Sequence, residues 1–176
     1  MKPTANLESL IRLHLRAGWG GFLLFLLGGV VLEALHAIKA PAYLDVGNSS
    51  RRLMWTLAHS HGTLLSLMQI GFVATIRSNP EAVARFPRMI SWGLVAGQFL
   101  LPLGFLLGGV WLQGGEPGPG VFVVPVGAGF LVAGVGALVW NVFGRRDDLE
   151  RLRRRQPNPL TPAETRRLWE GERDDR

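Results

Sequence analysis

Three long stretches of the chain contain no Asp, Glu, Lys or Arg: Ala17 to Leu32, Met89 to Leu112 and Val121 to Val142. A fourth, Leu53 to Ile76, lacks them too but carries His59 and His61. About 20 apolar residues cross a hydrocarbon layer of ~30 Å at 1.5 Å per helical residue. Buried helices of water-soluble proteins are usually shorter and keep a polar face. The pattern predicts an all-α chain, a four-helix transmembrane bundle with short outer loops.

Composition refines this picture. The formal charge of +6 over 176 residues raises the possibility of nucleic-acid binding, but the location of the charge argues against it. Ten of the nineteen Lys and Arg residues follow Phe143, behind the last apolar stretch. A basic cytoplasmic tail against anionic headgroups has that distribution. With no cysteine, disulfides, thiolate metal sites and cysteine catalysis are excluded. The first apolar run is too long for the core of a signal peptide, and Glu33 and His36 stand where a cleavage region is small and neutral, so a retained helix is expected.

The expected boundaries are an interfacial helical lead-in over residues 1–16, then spans of about 17–38, 53–76, 89–113 and 121–143. A tail over 145–176 follows, in which Thr161, Pro162 and Glu164 form a capping box for a helix over 162–170. Asn48 reads as the N-cap of the second span, and the Gly/Pro-rich segment 114–120 as a tight turn. The loop before that fourth span holds no Lys or Arg, whereas the first outer loop has Lys39, Arg51 and Arg52. The remaining basic residues fall in the N-terminus, the loop between spans two and three, and the tail. The positive-inside rule then places both ends on the cytoplasmic side of a cell (inner) membrane. Trp19, Trp92 and Trp140 fall at the inner boundary, Trp55 and Trp111 at the outer.

Spans three and four are rich in small residues: Gly93, Gly97, Gly104, Gly108, Gly129, Ala133 and Ala137. Such spacing lets helix backbones approach closely, within the chain or in self-association or assembly with other membrane subunits. Pro102 and Pro125 are expected to kink these helices.

Glu33, His36, His59 and His61 are ionisable groups inside the spans, which makes them functional candidates. Glu33 and His59 lie at similar depth, ~9 Å below the outer boundary at 1.5 Å per residue, so they are placed to meet. Glu33 and His36 share a face of span one. Thr56, His59, Gly62, Thr63, Ser66 and Gln69 form a polar stripe on span two, while His61 is turned about 200° from His59, so the two do not chelate one ion. Gln69 and Gln98 are at matching depth and predicted to hydrogen-bond; His14 is predicted to lie at the interface.

The segment Leu57-Ala58-His59-Ser60-His61-Gly62-Thr63 resembles the histidine-bearing helices of the haem–copper oxidase and nitric oxide reductase superfamily, and a comparable segment of small four-span bacterial membrane proteins. In the large enzymes such histidines serve haem iron or sit beside the reaction centre, and the resemblance implies that role for His59 and His61. The other ligand histidines of those enzymes are missing here, so gas reduction by this chain alone is not implied.

The Glu/His group admits four readings. His36, His59 or His61 hold haem or a transition metal, with Glu33 as ligand or orienting group. Glu33 and His59 line a proton or ion path, as in a small transporter. The group is a hydrogen-bonded pair that fixes helix register. The chain is a non-catalytic assembly subunit. Nucleotide-binding loops, nucleophile elbows and zinc-protease motifs are absent, and the outer loops are too short to build a soluble-side active site.

Overall fold

A computed structural model describes residues 3–155, and the side-chain surroundings of residues 7–144. The helix expected over 162–170 lies outside them. Four long helices, α1 (Pro3–Ala37), α3 (Ser49–Ser78), α4 (Pro87–Val110) and α5 (Val123–Arg155), are joined by short segments that include the one-turn α2 (Pro41–Leu44). Among the described residues there is no strand; an isolated antiparallel bridge pairs Gln113 with Glu116. The chain divides at Val142, and from Phe143 the second unit is helical as far as Arg155.

Three helical segments are long and apolar enough to cross a membrane: Leu7–Ala37, Pro87–Val110 and Pro119–Gly144. Their outward faces carry large apolar side chains, among them Trp19, Leu24 and Val30 on α1 and Val126, Val132 and Trp140 on α5. Monomeric water-soluble proteins rarely expose so many large apolar side chains. α3 is not one of the three, because His59, His61, Ser66 and Gln69 lower its apolar character. It is instead the central helix of the bundle, packed against α1 and against α4, and its Ser66, Gln69 and Phe72 are buried.

The boundaries differ from the expected ones for local reasons. The lead-in and first span form one uninterrupted helix from Pro3, since no breaker lies between them. It ends in a Schellman motif: the Lys39 N–H donates to His36 O at 3.1 Å and the Ala40 N–H to Leu35 O at 3.0 Å, with Lys39 left-handed at φ 53°. α4 stops at Val110, three residues early, where Trp111 is extended and Gly114 (φ 61°) and Gly115 (φ 88°) close the turn that needs their positive φ. Because α5 starts at Val123, Pro125 sits in its first turn, where a missing N–H costs nothing. The expected kink there is not required; Pro102 does lie inside α4. Asn48 occupies the N-cap of α3 without a side-chain capping bond, and its Nδ2 donates to Pro41 O at 3.2 Å instead.

The end of the bundle where α3 begins is clasped by Arg51, whose Nε donates to Gly109 O and whose Nη1 donates to Ala42 O, each at 3.0 Å. Its guanidinium lies 5.8 Å over the Trp55 ring, which stacks in turn on Tyr43. An arginine in the first turn of α3 is thus used for carbonyl binding between segments. At the other end Phe72, Ile76, Val83, Ile90, Leu94 and Ala137 form the buried apolar cluster. There Asn141 Nδ2 donates to Ala82 O (2.9 Å) and Arg85 O (2.6 Å), fastening the α3–α4 connection to α5.

The α4 glycines are used within the chain. A Cβ at Gly93 would stand 2.6 Å from Gly134 Cα, one at Gly97 2.9 Å from Leu131, and one at Gly104 2.7 Å from the Val124 nitrogen, so α4 and α5 touch backbone to backbone. Gly129 and Gly136, by contrast, face open space.

Candidate functional site

His59 is held by a main-chain carbonyl. Its Nδ1 lies 2.7 Å from Phe25 O on α1, and since a carbonyl only accepts, Nδ1 is the donor. Gly29 makes this approach possible: a Cβ there would come within 2.4 Å of the imidazole. In the neutral ring the lone pair is then on Nε2. Three buried polar side-chain atoms lack a hydrogen-bond partner among the described residues, namely Gln69 Nε2, Gln98 Oε1 and Asn141 Oδ1. His59 Nε2 is not one of them although no protein group bonds it, so it is reachable from outside the packed interior.

What it reaches is a cleft of about 480 Å³ between α1, α3 and α4. It is lined by Leu32 and Leu35 of α1, Leu103 and Leu106 of α4, and Trp55 and His59 of α3. His59 and Trp55 supply its polar atoms, and the Trp55 indole N–H is already donated to Leu106 O at 3.2 Å. Binding pockets for small molecules have this size and this scarcity of polar groups.

The other expected site residues are elsewhere. His61 faces α4, its ring 5.0 Å from Phe105 and its Nδ1 donating to Leu57 O at 2.9 Å one turn back. It is thus on the side of α3 away from Phe25, as the two-residue spacing implies. Glu33 and His36 are exposed on α1 and make no hydrogen bond or ion pair with His59. Glu33 follows the cleft residue Leu32 and so turns 100° away from it. No group of three or more His, Cys, Asp or Glu side chains able to hold a metal is found among the described residues, so Glu33, His36 and His59 are not gathered around one point.

A second polar group is built around His14. His14, expected at the interface, is completely buried. Its Nδ1 donates to Gln69 Oε1, its Nε2 accepts the Ser91 hydroxyl at 3.0 Å, and Phe72 meets its ring edge-on at 4.6 Å. One turn along, Gln98 Nε2 donates to Ser66 Oγ at 3.0 Å and to Ala17 O at 2.8 Å. Gln69 and Gln98 therefore pair with His14 and Ser66 rather than with each other. The signal for His14 was present in α1: at 100° per residue, Gly18, Gly21 and Phe25 lie within 40° of it, a small-residue face of the kind that packs on a neighbour. Ser91 also lines a second cleft of about 510 Å³, with Leu7, Leu10, Arg88 and Trp92.

The chain matches no family model, no curated protein and no solved structure.

Proposed function

We propose that this is a membrane-embedded, non-catalytic binding protein that holds a lipophilic small molecule in the cleft beside His59. The observation that carries it is an apolar cleft of about 480 Å³ with one imidazole in its wall, reachable and held in one tautomer by Phe25 O. The bilayer is the natural source of such a ligand, since the α1 and α4 walls are themselves apolar.

In this reading the chain crosses the membrane four times. α3 joins the three apolar segments as a central span, its polar stripe covered by α1 and α4, and both chain ends lie on the cytoplasmic side of the cell membrane. The charge asymmetry supports this orientation. Because the chain has no cysteine of its own, single-cysteine variants report sidedness cleanly. A membrane-impermeant maleimide applied from outside should label Glu116→Cys and leave Ala84→Cys unlabelled; the reverse pattern, or equal labelling, would overturn the topology.

A second reading is haem, with His59 as the residue that would ligate its iron. A histidine that ligates iron through Nε2 commonly donates Nδ1–H to a carbonyl, as His59 does to Phe25. His36 and His61 are not in the lining, so a second axial histidine is not provided. Bound there, haem would supply redox or gas-binding chemistry; the protein's part would be His59 ligation and exclusion of water.

The test is what accompanies the protein through purification. Mass spectrometry of an organic extract should find a lipophile at near-stoichiometric level in the wild type and at least tenfold less in Leu103→Trp, which fills the cleft. A Soret band that follows the same loss would select haem. Equal content in both proteins would defeat the proposal.

A further inference from the structure

Resting on that reading of the cleft, we infer that its ligand presents a hydroxyl to His59: a long-chain alcohol, phenol or quinol rather than an ether, ester or quinone. Nδ1 of His59 is committed to Phe25 O, which leaves Nε2 as a lone-pair acceptor in the neutral ring. The Trp55 indole is the other polar side-chain group of the wall, and its N–H is committed to Leu106 O. Pro102, also in the lining, has no N–H to offer. The remaining main-chain N–H groups of the wall belong to the interiors of α1, α3 and α4 and serve their helical ladders. The cleft thus presents an acceptor and no free donor.

Acceptor and donor are not interchangeable in hydrocarbon. A ligand hydroxyl can donate to Nε2 and keep its apolar body against Leu32, Leu35, Leu103 and Leu106. A carbonyl or ether oxygen placed there would meet a second lone pair, and neither oxygen would find a donor. A polar group brought into apolar surroundings without a partner is penalised, so the discrimination falls on the ligand that lacks O–H. Gly29 is the positioning residue, because only its missing side chain lets the ring reach Phe25 O and so keeps the proton off Nε2.

A matched pair of probes tests this on the full-length protein in lipid nanodiscs: 4-dodecylphenol and its methyl ether, compared by isothermal titration. One hydrogen bond of ordinary net strength corresponds to roughly a tenfold preference for the phenol in the wild type. His59→Phe, which keeps a ring in place, should bind both probes alike at the affinity of the ether. Gly29→Ala, which leaves His59 present but displaced, should do the same. If the ether binds the wild type as tightly as the phenol while Leu103→Trp removes both, the hydroxyl rule fails and the cleft stands. If neither probe binds, or Leu103→Trp changes nothing, the cleft itself fails and this inference falls with it.

Discussion

Gly93→Leu is expected to remove nearly all folded protein, as seen by fluorescence-detected size-exclusion chromatography in mild detergent. At this point in the crossing of α4 and α5 the contacts are between main chains. A first side-chain carbon at 93 would lie 2.6 Å from both Gly134 Cα and Phe130 O, and 2.8 Å from the Gly134 nitrogen. None of these atoms belongs to a flexible side chain, so the strain is relieved only by moving one helix away from the other. Separation would also open the next contacts along the stripe, at Gly97 against Leu131 and at Gly104 against Val124. A penalty of at least about 3 kcal/mol is expected, the upper end for overpacking a close-packed interface. Gly129→Ala is the control. Nothing lies within 4 Å of its added carbon, and exchanging glycine for alanine in a helix favours the fold by up to about 1 kcal/mol. Equal behaviour of the two variants would mean that α4 and α5 do not cross where described.

His14→Ala is expected to destabilise the bundle by about 2–4 kcal/mol in denaturant titration, since each buried polar group left unpaired costs about 1–3 kcal/mol. Two partners are stranded at once, Gln69 and Ser91, on two different helices. Phe72 also loses the ring it packs against edge-on. The diagnostic is the pairing. Gln69→Leu alone should be costly for the same reason, whereas His14→Leu combined with Gln69→Leu removes donor and acceptor together and should cost less than the sum, by about 1 kcal/mol or more. Strict additivity would show that His14 and Gln69 do not depend on each other. Neither change touches the His59 cleft, so ligand co-purifying with the surviving folded fraction should persist.

The candidate site was legible in part. His59 stood out as an ionisable group in an apolar segment, and its divergence from His61 followed from helix geometry alone. Its partner did not. Phe25 contributes a main-chain carbonyl, which every residue possesses, and access to it depends on Gly29 being opposite rather than on any polar residue type. Glu33 and His36 drew attention by the same hydrophobicity argument as His59, yet a rotation of 100° past Leu32 takes the Glu33 carboxylate away from the cleft. His14 lies near the start of the apolar run, a depth that suggests the interface, yet it is buried. Depth along a helix says nothing about which side is covered.

The all-helical character, the positions of the breaks and three helices of membrane-crossing length were all set by the order of residues, because they depend on local events: the lack of charge over a helix length, a proline without an N–H, a glycine that tolerates positive φ. The three-dimensional packing alone decided which faces are buried. In water, polarity separates the inner face of a helix from the outer one; where the surroundings are as apolar as the interior, leucine suits either and that distinction fades. The assignment then passes to shape and to a few hydrogen bonds between helices far apart in the chain. Gly93 meeting Gly134, Gly29 admitting His59, and His14 reaching both Gln69 and Ser91 are contacts of that kind.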